Sequence, residues 1–348
     1  MNEKMSYLDL ILTSFFNYKK DSLKDVTKME NDFKSIGEKY LNYLSFDYNE
    51  RINKIKEGIL LNEKFLLSIV NKYSLNYSKN NKEEIITRPS EIGKLRSTLK
   101  LFIRDWTKEG KKERDLTYNP ILEKMQKYFT NINDKKILVP GAGLCRLAYE
   151  IAKLGFIVDT IEVSYYMIIC SDFIFNDNNY VNKYEIEPLI HNFNCLKYEN
   201  APFQKFYFPD ENIKEIISGK NYGGVNIVPG DFVKSYKNKS KCYDGVVTSF
   251  FLDTANNIIE FIDIIYNILN DGGIWINVGP LLYHFHEIQN EVSIELSWEE
   301  LKKIIIKFGF EITNEKIIDS TYSSVEESLK TTIYSCIFFT AIKIKVNN

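Results

Sequence analysis

The sequence is poor in histidine and cysteine, and it carries no marked excess of charge of either sign. Of its 348 residues three are histidines and five are cysteines, and the cysteines are scattered without a Cys-x-x-Cys pair. This pattern argues against a disulfide framework or a zinc site and indicates reduced thiols, as in the cytoplasm or the nucleus. The 45 basic and 47 acidic residues leave a net charge of −2, which gives no indication of a nucleic-acid partner.

Long apolar runs are also missing. No run approaches the roughly 18 residues that a membrane-spanning helix needs, and the acid-containing N-terminus MNEKMSYLDLILTSFF makes a poor signal peptide. We therefore expect no membrane partner, and we expect no bound metal. The chain is nevertheless 44% hydrophobic and 14% aromatic, which is enough for a sizeable core.

The N-terminal part of the chain is predicted to be helical. Apolar residues recur at helical spacing in three stripes, which we interpret as packing surfaces, at 8–16, 33–44 and 52–70. A polar, aperiodic stretch then predicts a loop over residues 75–90. Two further helices follow, one with an apolar face over residues 92–106 and one predicted to begin at Tyr118-Asn119-Pro120 and to reach residue 129.

The most informative stretch is KKILVPGAGLCRLAYEIAKLGFIVDTIEVS, residues 135–164. Its apolar run over 137–139 predicts a buried strand, which a glycine-containing turn ends. Apolar residues at helical spacing predict a helix over 144–155, and a second strand is predicted over 157–163. This order is a βαβ unit that opens a parallel sheet.

Gly141, Gly143 and Glu162 are predicted to bind a nucleotide-like cofactor. Glycines let a ligand approach the backbone, and the helix start that follows offers unpaired N–H groups. Glu162 lies about 20 residues after Gly141, the position from which an acid binds ribose hydroxyls. The third glycine of the dinucleotide fingerprint is missing from this chain, so the pattern suits an adenosine-type cofactor such as S-adenosylmethionine. The structural alternative is a turn that only connects strand to helix.

The rest of the chain completes the predicted sheet. A second helix is predicted over 165–175, followed by a polar, aromatic-rich insertion over 176–222, in which His191 is more readily structural than catalytic. Further strands are predicted at 225–228, 243–251, 274–278, 310–317 and 334–344, a turn at 271–273, and helices at 258–269 and from Ser297 to near Gly309. The last two strands are predicted to form an antiparallel pair.

The predicted fold class is α/β. It consists of a Rossmann-like seven-stranded sheet of the methyltransferase type, with an N-terminal helical extension and an insertion after the second helix. The predicted domains are a helical region over 1–130 and the Rossmann-like domain over 131–348, with the insertion at about 176–222.

Further candidate residues lie where the predicted strands end. Asp231 and Phe232 follow the third strand, Ser249 lies near the end of the fourth, Asp253 comes directly after it, and His284 follows the fifth. Open α/β sheets bind ligands at this carboxyl edge. Asp231 is a candidate for the adenine amino group, with a simple turn residue as the alternative. The alternative for Asp253 is a structural role as the cap of the following helix. The alternative for His284 is a structural histidine whose hydrogen bonds are satisfied within the protein.

Seven strings between residue 92 and the C-terminus carry a resemblance to one family. They are STLKLFIRDW with KKERD, LVPGAGLCRLAYEIAKLGF, PGDF, FFLDTANNIIEFID, GGIWINVGPLLYHF and VSIELSW. With them the sequence resembles the carnosine N-methyltransferase family of class I S-adenosylmethionine-dependent methyltransferases. The resemblance implies methyl transfer to an imidazole nitrogen of carnosine (β-alanyl-histidine), giving anserine, or to a related histidine-containing peptide. A homodimer through the N-terminal helices stays open.

The resemblance also implies roles for individual residues. The predicted cofactor-binding set is Arg104, Gly141, Gly143, Glu162, Asp231, Phe232 and Ser249. The predicted substrate-binding set is Asp253, His284, Tyr322 and Tyr334, of which the first two are the predicted catalytic residues. From its pattern alone, Arg104 is open between a surface ion pair and a contact with a ligand carboxylate. The chain departs from the family at Leu101, usually glutamine, and at Cys145, usually glycine, which predicts weaker cofactor binding at most.

Three alternatives are kept. A nicotinamide-dependent oxidoreductase would share the glycine turn and the acid, but the third glycine and a hydride-transfer pair are missing. A protein or peptide histidine methyltransferase would use the insertion and the helical N-terminus as a docking surface. A non-catalytic cofactor-binding protein is disfavoured, because Asp253 and His284 both lie at the predicted active edge.

Overall fold

The computed structural model describes residues 7–73, 87–177 and 180–345, which form two compact units. The first unit comprises residues 7–73, 87–108, 180–211 and 325–331, and the second comprises residues 109–177, 212–324 and 332–345. This division differs from the predicted boundary near residue 130, because the helix over 111–128 packs against strands of the sheet. The two predicted domains themselves stay a prediction. No helix in the described ranges is both long and apolar enough to cross a membrane.

The first unit is mainly helical. Its helices are α1 (Tyr7–Phe16), α2 (Tyr18–Lys34), α3 (Glu38–Leu41), α4 (Tyr48–Tyr73) and α5 (Pro89–Trp106). The first and third predicted stripes are packing surfaces in large part, with Ile11, Phe15, Ile59 and Leu66 at most 1% exposed. The loop predicted over 75–90 lies mostly outside the described residues, and α5 begins at Pro89.

The second predicted stripe is wrong as a packing surface. Helix α2 ends at Lys34, and Gly37 adopts an extended conformation (ψ 147°) that separates it from α3. The helical period is therefore broken after Lys34. The apolar side chains that follow face solvent, with Ile36 39%, Tyr40 59% and Tyr43 80% exposed. Spacing alone could not reveal this break, because a glycine is tolerated within many helices.

The insertion adds a small hairpin to the first unit. Strands β3 (Tyr184–Ile186) and β4 (Phe206–Phe208) pair antiparallel, with a 3₁₀ turn over Ala201–Phe203 between them. Buried Asn62 of α4 donates to the Glu187 carbonyl at 2.9 Å and accepts the Glu187 N–H at 2.8 Å. The Asn62 amide also donates to the Tyr18 hydroxyl at 2.9 Å, and this hydroxyl lies 2.7 Å from Nε2 of His191. His191 is thus part of a structural network, as its position favoured.

This network predicts a pH-dependent stability. Burial, followed by the nearby Arg96 and Lys100 charges, lowers the pKa of His191 from 6.5 to about 3. Between those values the unfolded chain binds a proton that the folded chain does not, so stability is full above pH 6.5 and is lost as the pH falls toward 3. The free energy of unfolding should decrease by up to roughly 1.4 kcal/mol per pH unit in that window. Urea unfolding between pH 7 and pH 5 measures it.

His191→Gln should flatten this pH dependence, because glutamine does not titrate. His286→Gln is the control, since the His286 side chain is 62% exposed and pairs with Glu295 on the surface. An unchanged slope in His191→Gln, or an equal flattening in both variants, would contradict the assignment.

The second unit is built on a seven-stranded sheet. Its strands are β1 (Lys136–Pro140), β2 (Ile157–Glu162), β5 (Val225–Pro229), β6 (Tyr243–Ser249), β7 (Leu269–Gly279), β8 (Phe310–Ser320) and β9 (Tyr334–Lys343). They lie in the order β5-β2-β1-β6-β7-β9-β8. The first five are parallel, and β9 runs antiparallel between β7 and β8. The predicted seven-stranded α/β sheet with its closing antiparallel pair is confirmed.

Helices flank this sheet, and apolar cores lie on both of its faces. The helices are α6 (Lys111–Tyr128), α7 (Arg146–Lys153), α8 (Tyr165–Asn176), α9 (Ile213–Ile217), α10 (Phe232–Tyr236), α11 (Ile258–Ile268) and α12 (Trp298–Lys307). Leu138 packs in one core while its neighbours Ile137 and Val139 pack in the other, because alternate strand residues point to opposite faces. Both faces of the parallel strands are thus covered, as such strands require.

Three predicted boundaries are wrong. The turn predicted at 271–273 lies inside β7, where a register shift accommodates it. Helix α6 begins at Lys111 and contains Pro120, so the proline does not start the helix. Helix α7 begins at Arg146, because Cys145 adopts a left-handed conformation (φ +60°) that extends the preceding turn. Ser297, in contrast, caps α12 through a capping box with Glu300, as its position predicted.

Candidate active site

The glycine turn after β1 is tightly packed. Gly141 and Gly143 both have positive φ angles, +62° and +55°. The Gly141 N–H donates to the Ile161 carbonyl at 2.8 Å, which fixes the turn against β2. A Cβ at Gly141 would lie 2.5 Å from Cδ2 of Phe251. A side chain at this position would therefore have to displace the aromatic ring.

Glu162, the last residue of β2, is held by the backbone on both sides. Its Oε2 accepts the Gly143 N–H at 2.9 Å, and its Oε1 accepts the Ser164 N–H at 2.8 Å. The side chain is 8% exposed, and burial raises its pKa while these backbone donors counteract the rise. A carboxylate oxygen can accept more than one hydrogen bond, so both oxygens retain capacity for ligand hydroxyls. The acid therefore both supports the glycine turn and presents acceptors beside it.

A cavity of about 730 Å³ opens at the carboxyl edge of the sheet. Six predicted site residues line it: Gly141, Glu162, Asp231, Phe232, His284 and Tyr322. Asn256 and Asn257 line it as well and were not predicted as site residues. They belong to the quoted string FFLDTANNIIEFID, and that string was the only signal that could have indicated them.

Asp231 and Phe232 form one side of the cavity. Asp231 caps α10, because its Oδ1 accepts the Lys234 N–H at 2.9 Å. The alternative of a simple turn residue thus accounts for the hydrogen bond of one carboxylate oxygen. Asp231 nevertheless also lines the cavity. Phe232 is buried and packs edge-on against Phe251 and Phe261, with ring centroids 5.3 and 5.0 Å away. This aromatic cluster provides a rigid apolar wall.

Asp253 and His284 are brought together by two neighbouring strand ends. Asp253 is 2% exposed, its Oδ2 accepts the Leu282 N–H at 3.0 Å, and its carbonyl accepts the His284 N–H at 2.9 Å. Burial raises the pKa of the Asp253 carboxyl, and His284 opposes this rise. The cap of α11 is Asn257, whose Oδ1 accepts from Ile259, so Asp253 is not the helix cap.

Strained backbone flanks this pair. Phe250 and Tyr283 have φ angles of +50° and +48°, a region that bulky residues rarely adopt. The Tyr283 hydroxyl donates to the Leu296 carbonyl at 2.6 Å and accepts the Leu296 N–H at 2.9 Å, which holds the residue in place. Strain that the surroundings maintain is a feature of functional sites.

The two predicted tyrosines meet at Phe250. The Tyr322 ring centroid lies 4.9 Å from that of Phe250, and the Tyr334 centroid lies 6.1 Å from it. Tyr322 is 41% exposed and lines the cavity, so it is not a core residue. Tyr334 is half-buried at the start of β9 and contacts the cavity wall through Phe250.

Arg104 and Ser249 complete the predicted set. Arg104 belongs to the first unit, and its Nη1 lies 3.3 Å from Oδ1 of Asp105. Both side chains are buried, so the alternative of an ion pair at the surface does not apply. The cofactor role of Arg104 stays a prediction. Ser249 lies at the end of β6, and its Oγ is buried without a hydrogen-bond partner in the described part of the chain. Buried hydroxyls are normally paired, so this atom suits a polar ligand atom.

These features fit an adenosine-type cofactor. Gly141 and Glu162 both line the cavity, Glu162 offers acceptors for ribose hydroxyls, and the Ser249 Oγ is buried without a hydrogen-bond partner among the described residues. Within residues 7–73, 87–177 and 180–345, no group of three or more His, Cys, Asp or Glu side chains is arranged to hold a metal ion.

The mostly parallel sheet and the glycine turn with its acid define a Rossmann-like nucleotide-binding fold. A family model described as carnosine N-methyltransferase matches residues 81–345. The chain belongs to the carnosine N-methyltransferase family.

Two sequence relatives agree with this assignment. The carnosine N-methyltransferase of Mus musculus is 36% identical over 344 residues, covering 96% of this chain and 85% of the relative. That of Schizosaccharomyces pombe is 30% identical and covers 95% of this chain and 94% of the relative. Among solved structures, a SAM-dependent methyltransferase from Methanosarcina mazei is 14% identical, with a TM-score of 0.43 over 64% of this chain and 97% of that one.

Proposed function

We propose that this chain transfers a methyl group from S-adenosylmethionine to an imidazole nitrogen of carnosine, giving anserine, or of a related histidine-containing dipeptide. The observation that carries the proposal is the backbone hydrogen bond from the His284 N–H to the carbonyl of buried Asp253, which puts Asp253 next to a residue that lines the cavity, in a chain of the carnosine N-methyltransferase family. No contact in the described residues favours a macromolecular acceptor, so protein histidine methylation is kept only as the alternative that the test below decides.

S-Adenosylmethionine, when bound, supplies a methyl group on a positively charged sulfur. Glu162 is proposed to bind the ribose hydroxyls of the cofactor, and Ser249 to bind one of its polar atoms. The turn at Gly141 and Gly143, of which Gly141 lines the cavity, is proposed to contact the cofactor through its backbone. The aromatic wall that includes Phe232 excludes water and suits the adenine ring. Arg104 and Asp231 are proposed to contribute further polar contacts.

The acceptor imidazole needs orientation more than activation. Its pKa is about 6.5, so at neutral pH most rings are uncharged and already nucleophilic. Asp253 is proposed to accept the distal N–H of the ring, which fixes the nitrogen that carries the lone pair and stabilises the imidazolium product. The carboxylate is held by Leu282, which makes its position independent of the ligand. Fixed orientation can contribute on the order of 7–11 kcal/mol to lowering the barrier.

The other acceptor-site residues are proposed to bind the rest of the dipeptide. His284 lines the cavity and is proposed to contact the ring or to accept the released proton. Tyr322 and Tyr334 are proposed to close the site around Phe250 and to bind polar ends of the dipeptide.

We further propose that the enzyme works without a metal, in the cytoplasm or nucleus. The exposed apolar residues Ile36, Tyr40 and Tyr43 support dimerisation through the N-terminal helices.

The test is incubation of the purified full chain with methyl-labelled S-adenosylmethionine and either carnosine or a cell extract separated by size. Label in carnosine is the expected result. Label only in the macromolecular fraction would replace the proposal with protein histidine methylation. A change in nicotinamide absorbance without label transfer would overturn it in favour of an oxidoreductase.

A further inference from the structure

Glu113, in the first turn of α6, binds the loop that follows β8. Its Oε2 accepts the Thr321 hydroxyl at 2.6 Å and the Ser324 N–H at 3.1 Å, and its Oε1 accepts the Ser323 N–H at 2.7 Å. One carboxylate thus satisfies three donors of a single loop. Hydrogen bonds to a charged acceptor are stronger than neutral ones, so this contact is a firm anchor for the loop.

The anchored loop carries Tyr322 into the cavity wall. Tyr322 lies between two residues that contact Glu113, and its ring packs against Phe250. The next residue, Ser323, has a φ angle of +53°, a conformation that costs free energy and persists only where the surroundings hold it. The hydrogen bond from the Ser323 N–H to Glu113 provides such a constraint.

The position of Glu113 in its helix does not explain this contact. An acidic residue in the first turn interacts favourably with the helix dipole, and this would hold for a side chain directed to solvent. The dipole does not require that three donors from a loop about 208 positions away converge on the carboxylate. The contact is specific to the segment that carries Tyr322.

We propose that Glu113 is a positioning residue for the methyl acceptor, which it affects through Tyr322; this rests on the proposed function. Glu113 itself does not line the cavity, whereas Tyr322 does. The cofactor acid Glu162 is held separately, by Gly143 and Ser164. Loss of the anchor therefore weakens acceptor binding and leaves cofactor binding unchanged.

Glu113→Gln is the informative variant, because its amide nitrogen must face one of the loop donors. We expect the KM for carnosine to rise about tenfold, kcat to change less than about threefold, and the cofactor Kd from calorimetry to stay unchanged. Glu123→Gln is the matched control, the same substitution at an exposed position of the same helix. It should behave as the wild type in all three measurements.

A double-mutant cycle separates positioning from general stability. Tyr322→Ala should raise the KM for carnosine by itself, and adding Glu113→Gln should raise it little further, because both changes remove the same interaction. Fully additive effects, or a rise in the cofactor Kd in Glu113→Gln, would overturn the proposal.

Hydrogen exchange tests the anchor independently of the acceptor. The peptide that contains residues 321–324 should exchange faster in Glu113→Gln and at the wild-type rate in Glu123→Gln. Unchanged exchange would overturn the anchor, and faster exchange with an unchanged KM would overturn the positioning role. If the wild type does not methylate carnosine, the proposed function fails. Hydrogen exchange then still tests whether Glu113 anchors the loop, and the KM is measured with the acceptor that carries the label.

Discussion

Asp253→Asn is expected to reduce kcat by about 10³-fold, within the range found for residues that handle protons in catalysis. Asparagine retains an oxygen that can accept the Leu282 N–H, so the local fold should persist. The variant loses the negative charge that would orient the ring N–H and stabilise the imidazolium. Alanine is less informative, because it would leave the Leu282 N–H without this partner and thereby mix a folding defect with the catalytic one.

Calorimetry and turnover together test this prediction. Cofactor binding by Asp253→Asn should lie within about twofold of the wild type, because Glu162 is held by Gly143 whereas the Asp253 carboxylate is held by Leu282. Asp263→Asn, an exposed position on α11, is the control and should retain full turnover. Wild-type kcat in Asp253→Asn would remove this residue from the mechanism, and loss of cofactor binding would assign it to the other half of the site.

The βαβ core could be predicted from local pattern. Strand β2 begins at the predicted residue and ends one residue early, because an apolar run next to a glycine turn leaves few alternatives. The stripe over 33–44 shows the limit of this approach. Its spacing is helical, yet burial requires a partner surface, and a pattern within one segment contains no information about partners.

The candidate site was predictable to the extent that topology decides it. Asp253 and His284 follow adjacent parallel strands, so their meeting at one edge follows from strand order. The contact of Glu113 with Thr321 joins residues 208 positions apart, and no periodicity connects them. The string KKERD marked the segment as part of the resemblance but could not indicate its partner. The hydrogen bond from Gly143 to Glu162 was likewise beyond the spacing rule, which predicted only their proximity.

Glu162→Gln is expected to raise the cofactor Kd by roughly 10- to 100-fold, equivalent to about 1.4–2.8 kcal/mol. Both oxygens of Glu162 accept backbone N–H groups, so the amide nitrogen of glutamine must face either Gly143 or Ser164, donor against donor. The substitution should therefore disturb the glycine turn and remove the charged acceptor for ribose at the same time. Calorimetry with S-adenosylhomocysteine measures the effect without turnover.

Asp159→Asn provides the control on the same strand. Asp159 accepts the Tyr243 hydroxyl at 2.9 Å and lies away from the carboxyl end of β2, so its loss tests strand stability without touching the turn. At saturating cofactor, Glu162→Gln should recover most of its kcat, whereas Asp253→Asn should not, because only Asp253 is assigned to the acceptor. Unaltered cofactor binding in Glu162→Gln would show that the turn merely connects β1 to α7. Equal weakening in Asp159→Asn would attribute the effect to the strand and not to the acid.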